Sequence, residues 1–511
     1  MKAILILGLC AAGALAATEI PSQRFDPGSY GAKGDGASLD TAAINKAIDA
    51  AHAAGGGTVY FTAGTYLSGS IHLLSNVAIY LAPGATILAT DNPAAYDQPE
   101  PNQWDKLQDY GHSHFRNSLM WGEGLENVSI LGPGRIWGKG LARSQREPQP
   151  GERRVGNKAI VLKQCRNVTL KDFSILMGGW FGILATGVDN LTISNLKIDT
   201  NRDGMDIISC RNVRISDCTV NTPYDDGICL KSDYSLGFAR ATENVTITNC
   251  LVSGYDNGTV LDGTYQRKQV YNNAGSNAGP TGRIKFGTES NGGFKNITIS
   301  NVVFDYCRGL ALETVDGGLL EDVTISNVAM RDIFNSPIFL RLGSRLRAPE
   351  GTPAGQLRRV NINNLIVYNA DPRYSSILSG IPGHDIEDVR LSNIRIYYAG
   401  GGTKEQAALV PQELETAYPE PRMFGEMPAY GFFIRHVKGI ELNDVEVGYM
   451  KEDLRPAFYL ENVRNIEFNH VKSQHAAGVP TIVLKSVVDF LAQRSSGIPD
   501  SRLPSVDRRE F

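Results

Sequence analysis

The chain has 511 residues, of which 42% are hydrophobic, and its formal net charge is −4. This near balance of charges, without a basic stripe, argues against nucleic acid or an anionic membrane as a partner. The length exceeds that of a typical small domain, but a repeat fold can extend as a single unit with a long apolar core.

The first 16 residues are predicted to be a secretory signal peptide. Lys2 supplies the positive start, an apolar run follows, and residues 14–16 (ALA) form a small-x-small cleavage site. The apolar run is too short to span a bilayer. A lipoprotein signal centred on Cys10 is the weaker alternative, because Leu9 is bulky where a small residue is expected. We therefore expect a secreted or periplasmic protein.

One amphipathic helix is predicted over residues 41–54. It places Ile44, Ala47, Ile48 and Ala51 on one face. It begins after Asp40, a good N-cap residue, and ends at three consecutive glycines, residues 55–57. We expect this helix to cover the open end of the structure that follows.

A short repeat occupies most of the remaining chain. Copies include NVTLKDFSI at 167, NLTISNLKI at 190, NVRISDCTV at 212, NVTITNCLV at 244 and NITISNVVF at 296. Each copy alternates apolar and polar residues as a strand does, and each is interrupted by Asn, Asp or Gly. A spacing of roughly 22 to 29 residues predicts an all-β solenoid with one strand set per turn. The Asn and Asp residues at fixed phase are expected to stack in internal ladders.

Two acidic segments follow neighbouring copies of this repeat. Asp203 lies after the copy at 190, and the pair Asp225-Asp226 lies after the copy at 212. Because strands on adjacent turns lie about 4.8 Å apart, the three carboxyl groups should meet. Glycoside-cleaving enzymes use paired carboxyl groups for acid and base work. The competing interpretation is that Asp-Gly pairs simply mark turns.

Six cysteines remain after the signal peptide, at positions 165, 210, 218, 229, 250 and 307. An even number in an exported protein permits three disulfides. We favour free, buried thiols, since Cys210 and Cys229 fall near matching points of successive turns. No C-x-x-C spacing or His/Cys cluster predicts a metal site.

At this point the chain resembles a known family. Residues 30–87 are similar to the opening of pectin-degrading β-helix proteins, and NRDGMD (201–206) with DDGICLKS (225–232) resembles the core of glycoside hydrolase family 28, the polygalacturonase family. The resemblance covers roughly residues 25–475 and implies a right-handed parallel β-helix that hydrolyses pectic polysaccharides with inversion, without metal or cofactor. The domain organisation expected from it is one catalytic β-helix over residues 17–485 and a tail over 486–511.

The resemblance also implies roles for the three aspartates. Asp225 is the expected general acid, and Asp203 and Asp226 are expected to activate water. Crowding by two like charges should raise the pKa of the acid so that it holds a proton. Inverting enzymes separate acid and base by roughly 6.5 to 9.5 Å to admit a water molecule.

The chain departs from the polygalacturonase pattern where the substrate carboxylate is expected to bind. Thr281-Gly282 stands where the family has histidine–glycine, and Ala311 and Glu313 stand where it has two cations. Arg283 and Lys285, one turn earlier, should share one face of a strand. They either point into the cleft, where they could bind an acidic sugar of the substrate by a different route, or form an exposed basic edge. Glu313 would repel a uronate, which favours a rhamnogalacturonan-type substrate containing neutral rhamnose.

Three further residues are candidate contacts of the substrate. Lys231 either contacts the sugar or holds a carboxylate ionised, unless it is an ordinary surface lysine. Asn201 orients Asp203 or stays in a turn, and Glu289 contributes from a neighbouring turn. Loops over residues 92–122, 138–157, 265–282 and 399–430 are expected to form walls around the site.

The preferred function is a secreted, monomeric hydrolase of pectic poly- or oligosaccharides, of rhamnogalacturonan type. An exo-acting polygalacturonase on homogalacturonan is the alternative. Two other classes are a β-helix polysaccharide lyase, which needs a base and usually calcium, and a non-catalytic carbohydrate-binding solenoid. Only in the last would the function survive loss of Asp225.

Overall fold

The computed structural model describes residues 23–142, 156–267 and 279–511. The predicted signal peptide and the middle parts of two predicted wall loops, at 143–155 and 268–278, lie outside the described residues. Within the described residues, 51% of the chain is in strands. No helix among them is both long enough and apolar enough to cross a membrane.

The strands follow one another in chain order with few helices between them. The helices are α1 (Thr41–Ala53), α2 (Tyr110–Ser113) and α3 (Lys404–Ala407), with 3₁₀ turns at Pro27–Tyr30, Pro93–Ala95, Asp105–Leu107 and Pro421–Phe424. The strands are β1 (Arg24–Phe25), β2 (Asp35–Leu39), β3 (Gly57–Phe61), β4 (Gly64–Ser68), β5 (Ile71–His72), β6 (Val77–Leu81), β7 (Ala85–Ala89), β8 (Met120–Glu123), β9 (Glu126–Leu131), β10 (Arg135–Trp137), β11 (Ile160–Lys163), β12 (Arg166–Lys171), β13 (Ser174–Leu176), β14 (Phe181–Thr186), β15 (Asp189–Ser194), β16 (Lys197–Asp199), β17 (Asp203–Ile208), β18 (Arg211–Ser216), β19 (Thr219–Asn221), β20 (Ile228–Ser232), β21 (Thr242–Thr248), β22 (Leu251–Ser253), β23 (Ile284–Ser290), β24 (Phe294–Asp305), β25 (Leu310–Thr314), β26 (Leu319–Ile333), β27 (Ile338–Leu342), β28 (Gln356–Ala370), β29 (Ser376–Ser379), β30 (Ile386–Gly400), β31 (Phe432–Lys451), β32 (Phe458–Asn469), β33 (Lys472–Ser473), β34 (Ile482–Gln493) and β35 (Ser501–Glu510).

The strands stack in parallel as successive coils of a right-handed β-helix, which confirms the predicted fold. Through most of the first half of the chain, each strand pairs with the third strand after it, which is its counterpart on the next coil, as β12 does with β15 and β14 with β17. Later strands such as β31 are long enough to continue around the corners. One face contains β14, β17, β20, β23 and β25 in consecutive contact, and we call it the site sheet.

The interior of the coil is a continuous apolar core. Val168, Leu191, Val213 and Val245 lie at matching positions of four successive coils, and none is more than 1% exposed. The alternation seen in the sequence is therefore the alternation of core and outer positions along each strand. Because each coil buries its apolar residues mainly against its neighbours, the stack can lengthen one coil at a time.

The asparagine ladders form, but they lie on the outside of the coil, so the expectation of internal ladders is wrong. Asn167 donates to Asn127 (3.0 Å), Asn190 to Asn167 (3.0 Å) and Asn212 to Asn190 (3.1 Å) through their side-chain amides, all exposed. The next residue in each repeat, such as Val168, takes the interior position, and strand alternation sends the asparagine outward. These asparagines adopt φ values near +56°, which asparagine tolerates better than most residues.

Both ends of the coil are covered. Helix α1 buries the predicted apolar face, including Ile44 and Ile48, against the first coils. At the other end, β34 continues the parallel stack to Gln493, and β35 pairs with it antiparallel along the remaining edge. The repeat therefore extends past the predicted boundary at residue 485, and residues 501–510 of the predicted tail form a closing strand. Its polar sequence conceals this role, because an edge strand has an exposed face and needs few apolar residues.

All six cysteines of the described chain are free and buried, as favoured from the sequence. Even Cys218 and Cys250, which directly precede the paired strands β19 and β22 of adjacent coils, form no disulfide. We expect alkylation in denaturant without reductant to label all six thiols, because no disulfide withholds any of them. Mass spectrometry provides the measurement, and the reduced protein provides the control. A deficit of two labels relative to that control would contradict this assignment.

Candidate active site

The three aspartates meet at the amino-terminal edge of the site sheet. Asp203 begins β17, and Asp225 and Asp226 lie in the turn before β20, one coil further on. A Cβ atom on Gly204 would lie 2.5 Å from the carbonyl oxygen of Gly227, and one on Gly227 would lie 3.2 Å from that of Arg283, so glycine at these positions permits the close approach of the coils. Neither glycine has a positive φ. The Asp-Gly pairs therefore serve close stacking rather than a left-handed turn.

The carboxyl groups of the three aspartates are in direct proximity. One carboxylate oxygen from each lies within 4.8 Å of those of the other two. The backbone N–H of Asp226 donates to Oδ1 of Asp203 (3.2 Å) and to Oδ1 of Asp225 (3.1 Å). This oxygen-to-oxygen approach is shorter than the 6.5 to 9.5 Å expected between the carboxyl groups of an inverting enzyme. Inversion thus stays a prediction from the family resemblance, and the product anomer tests it.

The three carboxyl groups have different environments. Burial, followed by repulsion from Asp225 and Asp206, raises the pKa of Asp203 well above its ordinary value. The Asp225 side chain is 30% exposed and pairs with Arg202, whose Nη2 lies 3.0 Å from Oδ2. The two side chains thus differ in accessibility, because Asp203 is buried and Asp225 is partly exposed.

Asp226 is surrounded by cations. Arg283 donates from Nε to its Oδ1 (2.7 Å), and Nζ of Lys285 lies 3.2 Å from Oδ2. Although burial opposes ionisation, the charges of Arg283 and Lys285 hold the pKa of Asp226 far below its usual range. Both cations are only 2% exposed. They therefore face the site, and the alternative of an exposed basic edge is wrong.

Lys231 and Glu289 lie beside the aspartates in a second buried cluster. Nζ of Lys231 is 3.4 Å from Oε2 of Glu289 and 3.7 Å from Oδ1 of Asp206. His112 completes this cluster, with ring nitrogens 3.5 Å from Glu289 and 3.8 Å from Asp206. Lys231 is thus a charge partner for carboxylates and not a surface lysine. Asn201, in the bend before Asp203, is partly exposed.

His112 belongs to the loop of residues 92–122 and could not be assigned from the sequence. Its ring stacks flat on Phe181 of β14, with centroids 4.9 Å apart. Burial opposes its protonation, but the carboxylates of Glu289 and Asp206 raise its pKa to about 10. The loop was predicted as a wall, yet a histidine outside the repeat gives no periodic signal that links it to particular strands.

Glu313 lies on β25, fully buried, with Oε2 3.8 Å from Nζ of Lys285. Burial, partly offset by Lys285 and Arg283, raises the pKa of Glu313 to about 7. Ala311 lies two residues earlier in an apolar cluster with Phe339 and Phe424. Ala311 and Glu313 occupy the two positions where the family has cations. Ala311 is covered by apolar side chains, and Glu313 contributes a carboxyl group beside Lys285.

A segment that we call the strap, residues 401–431, covers the outer face of later coils and reaches the site. It brings Tyr418, whose hydroxyl lies 3.3 Å from Nζ of Lys285. It also brings Glu420, which accepts from Nη2 of Arg283 at 2.7 Å and is 4% exposed. Sequence reasoning predicted a wall over residues 399–430 but did not identify these two side chains.

Among the residues that the structure describes, two groups of side chains have the oxygen and nitrogen spacing of a metal site. They are the three aspartates and the set Asp109, His112 and Glu289. In each group, cationic side chains already contact the carboxylates: Arg283 contacts Asp226, and Nη2 of Arg347 lies 3.0 Å from Asp109. These cations would compete with a metal ion for the carboxylate oxygens.

A parallel β-helix with three adjoining aspartates at the edge of one sheet defines a carbohydrate-active enzyme of the β-helical class. The chain matches the model described as "Glycosyl hydrolases family 28" over residues 105–416, and residues 28–99 match "Rhamnogalacturonase A/epimerase, pectate lyase-like". The chain belongs to glycosyl hydrolase family 28 and is a glycoside hydrolase. The family resemblance read from the sequence is thereby confirmed.

Several relatives illustrate this membership. The chain is 23% identical over 400 residues to a probable polygalacturonase of Vitis vinifera, covering 73% of this chain and 74% of that protein. It is 30% identical over 209 residues to an exo-poly-alpha-D-galacturonosidase of Dickeya chrysanthemi, covering 39% and 32%. The fold matches a family 28 exopolygalacturonase of Yersinia enterocolitica with a TM-score of 0.65 and 19% identity, covering 87% and 78%.

Proposed function

We propose that this enzyme hydrolyses glycosidic bonds in pectic poly- or oligosaccharides through Asp203, Asp225 and Asp226. The observation that carries the proposal is the meeting of these three carboxyl groups at one edge of the site sheet, each in a different electrostatic environment. Environments that separate the protonation states of neighbouring carboxyl groups are what acid and base catalysis requires. Membership of a hydrolase family favours this activity over a lyase or a non-catalytic solenoid.

Asp225 is assigned as the general acid because it is the most accessible of the three side chains. A sugar covering it removes water from its carboxyl group, which favours the protonated form. It then donates its proton to the glycosidic oxygen as the bond to the leaving sugar breaks. Asp226, held ionised by Arg283 and Lys285, accepts a proton from the attacking water, and Asp203 helps to orient that water.

The substrate proposed is of rhamnogalacturonan type, with a neutral sugar beside the cleaved bond. Arg283 and Lys285 already balance Asp226, Glu420 and Glu313, so they have little charge left for a uronate. Hydroxyl groups of a neutral sugar can bind the same polar side chains without adding a further buried charge. We propose in addition that the enzyme is secreted and acts as a monomer.

An exo-acting polygalacturonase is the second candidate, and two contacts between loops beside the site favour it. Arg347 lies 3.0 Å from Asp109, and its carbonyl oxygen accepts from the side-chain amide of Asn291 (2.7 Å). These contacts join the loop of residues 92–122 to the chain after β27 beside the Glu289 cluster. Loops joined in this way beside the site would admit the end of a saccharide more readily than its middle. The similar protein from Dickeya chrysanthemi also carries an exo-acting name.

Product analysis on rhamnogalacturonan, homogalacturonan and their oligosaccharides tests the substrate assignment. We expect reducing ends from the rhamnose-containing substrates, with proton NMR showing first the anomer opposite to the original linkage. Release of monogalacturonate from homogalacturonan alone would replace this assignment with the second candidate. Products that absorb ultraviolet light through a new double bond, or initial retention of configuration, would contradict the mechanism.

A further inference from the structure

Glu420 lies beside the reacting carboxyl groups although it comes from the strap and not from the coils. It begins the short turn Pro421–Phe424 as its N-cap residue, four positions beyond the end of the family match at residue 416. The side chain enters the site above Arg283. It is thus an acidic residue that neither the repeat nor the aspartate motifs predict.

Arg283 bridges two carboxylates with different nitrogens. Its Nε donates to Oδ1 of Asp226 and its Nη2 donates to Oε2 of Glu420, both at 2.7 Å. All three side chains are nearly inaccessible, with exposures of 2% for Arg283, 3% for Asp226 and 4% for Glu420. A planar guanidinium held at two nitrogens has one orientation, so the position of Glu420 sets the position of Arg283 on Asp226.

The second oxygen of Glu420 is held as firmly as the first. Nη1 of Arg308 lies 3.2 Å from Oε1, and the side-chain amide of Asn335 donates to the same atom. The charges of Arg283 and Arg308 outweigh burial and lower the pKa of Glu420 to about 2. Glu420 is therefore an ionised group with a fixed geometry, which is the requirement for orienting a neighbour.

Attachment of the strap depends on other residues. Arg341 donates to the carbonyl oxygens of Glu413 and Leu414 (3.0 and 3.1 Å), and Arg435 donates to that of Pro411 (2.8 Å). Phe424 and Met427 bury apolar surface against Phe433 of the coil. Because these anchors are independent of Glu420, its carboxylate is not needed to hold the strap on the protein.

We propose that Glu420 is a positioning residue for catalysis, which holds Arg283 against Asp226 so that Asp226 stays aligned and ionised as the base. This inference rests on the proposed role of Asp226. It adds the strap to the catalytic apparatus of the enzyme. Movement of the strap would then change the rate of bond cleavage even when the three aspartates stay in place.

Two variants of Glu420 test the inference. Glu420→Gln removes the charge, and Glu420→Asp keeps the charge but shortens the reach by one methylene. We expect both to lower kcat by about 10-fold or more, with KM changed less than about 3-fold, since a misaligned base slows proton transfer. The matched control is Glu415→Gln, which removes an exposed carboxylate from the same strap and should leave kcat unchanged.

The pH dependence of kcat/KM separates positioning from a simple charge effect. Removing the negative charge of Glu420 through space would lower the pKa of Asp226, whereas loosening Arg283 from Asp226 raises it. We therefore expect the acidic limb of the profile to move to higher pH in both variants. A limb that moves to lower pH overturns the inference, as does wild-type kcat in Glu420→Asp.

Failure of the inference is distinguishable from failure of the proposed function. Asp226→Asn is measured alongside with the same substrate. An inactive Asp226→Asn enzyme with an unaffected Glu420→Asp enzyme removes only the role of Glu420. An active Asp226→Asn enzyme overturns the role of Asp226 and, with it, this inference. Circular dichroism of each variant establishes that the fold is intact.

Discussion

Replacing Asp225 with asparagine is expected to lower kcat by about 10²- to 10⁴-fold, because the leaving sugar loses its proton donor. The fold should be little affected, since the Asp225 side chain is 30% exposed and forms its ion pair with the neighbouring Arg202. Initial rates on the pectic substrate that wild type cleaves provide the measurement. Thermal unfolding of the same samples separates lost chemistry from lost structure.

The leaving group supplies a sharper test of the acid role. In an aryl glycoside with an acidic phenol, the phenolate leaves without being protonated. Asp225→Asn should therefore lose much less activity on this substrate than on a natural saccharide. Asp217→Asn, an exposed carboxylate on the preceding coil, is the control and should behave as wild type. Equal losses on both substrates would assign Asp225 to another step, and an undiminished rate on the saccharide would contradict the mechanism.

Arg283→Gln is expected to lower the free energy of unfolding by about 3–5 kcal/mol near neutral pH, since it leaves Asp226 and Glu420 buried without their shared partner. Activity should fall in parallel, because Asp226 loses the hydrogen bond that aligns it. Arg211→Gln provides the comparison: it removes an ion pair with Glu243 on the exterior, worth at most about 1 kcal/mol. Denaturant titrations of the three proteins measure the difference.

The stability loss in Arg283→Gln should depend on pH in a defined direction. Arg283 lowers the folded-state pKa values of Asp226 and Glu420, so its contribution is complete above the unfolded carboxyl pKa of about 4. That contribution declines as the pH falls towards the folded value of about 2 for Glu420. The gap between wild type and variant should thus narrow in acid. A difference in the free energy of unfolding that does not change with pH would mean that Arg283 stabilises the protein through packing and not through charge.

The fold could be predicted from the sequence because the same strand pattern recurs along the chain at a regular spacing. The alternation around Val168, Leu191 and Val213 defines the strands, and the spacing of the copies places Asp203 beside Asp225 and Asp226. Local physics was sufficient here, since neighbouring coils are close in both sequence and space. The direction of the asparagine side chains was misjudged because stacking alone does not say which side of the strand is buried.

The rest of the site could not be predicted for the opposite reason. His112 and Glu420 reach Glu289 and Arg283 of the site from loops outside the repeat, and no periodic pattern relates a loop to the strand it covers. A sequence motif also does not show which of its residues are buried. The three aspartates look equivalent in the sequence, but in the structure Asp225 is partly exposed and paired with Arg202, whereas Asp203 is buried. The role of Lys285 likewise depends on its contacts with Asp226 and Glu313, which its position in the sequence does not predict.

The covered ends of the coil have a consequence for how the molecule comes apart. In a linear stack, unfolding starts most easily by fraying from a terminus, because an end coil has one neighbour and a middle coil has two. Helix α1 and strand β35 remove that weak starting point at each end. We therefore expect the unfolding rate of the native enzyme to depend on how strongly α1 packs on the first coils and how strongly β35 pairs with β34, although both elements lie far in sequence from the aspartates.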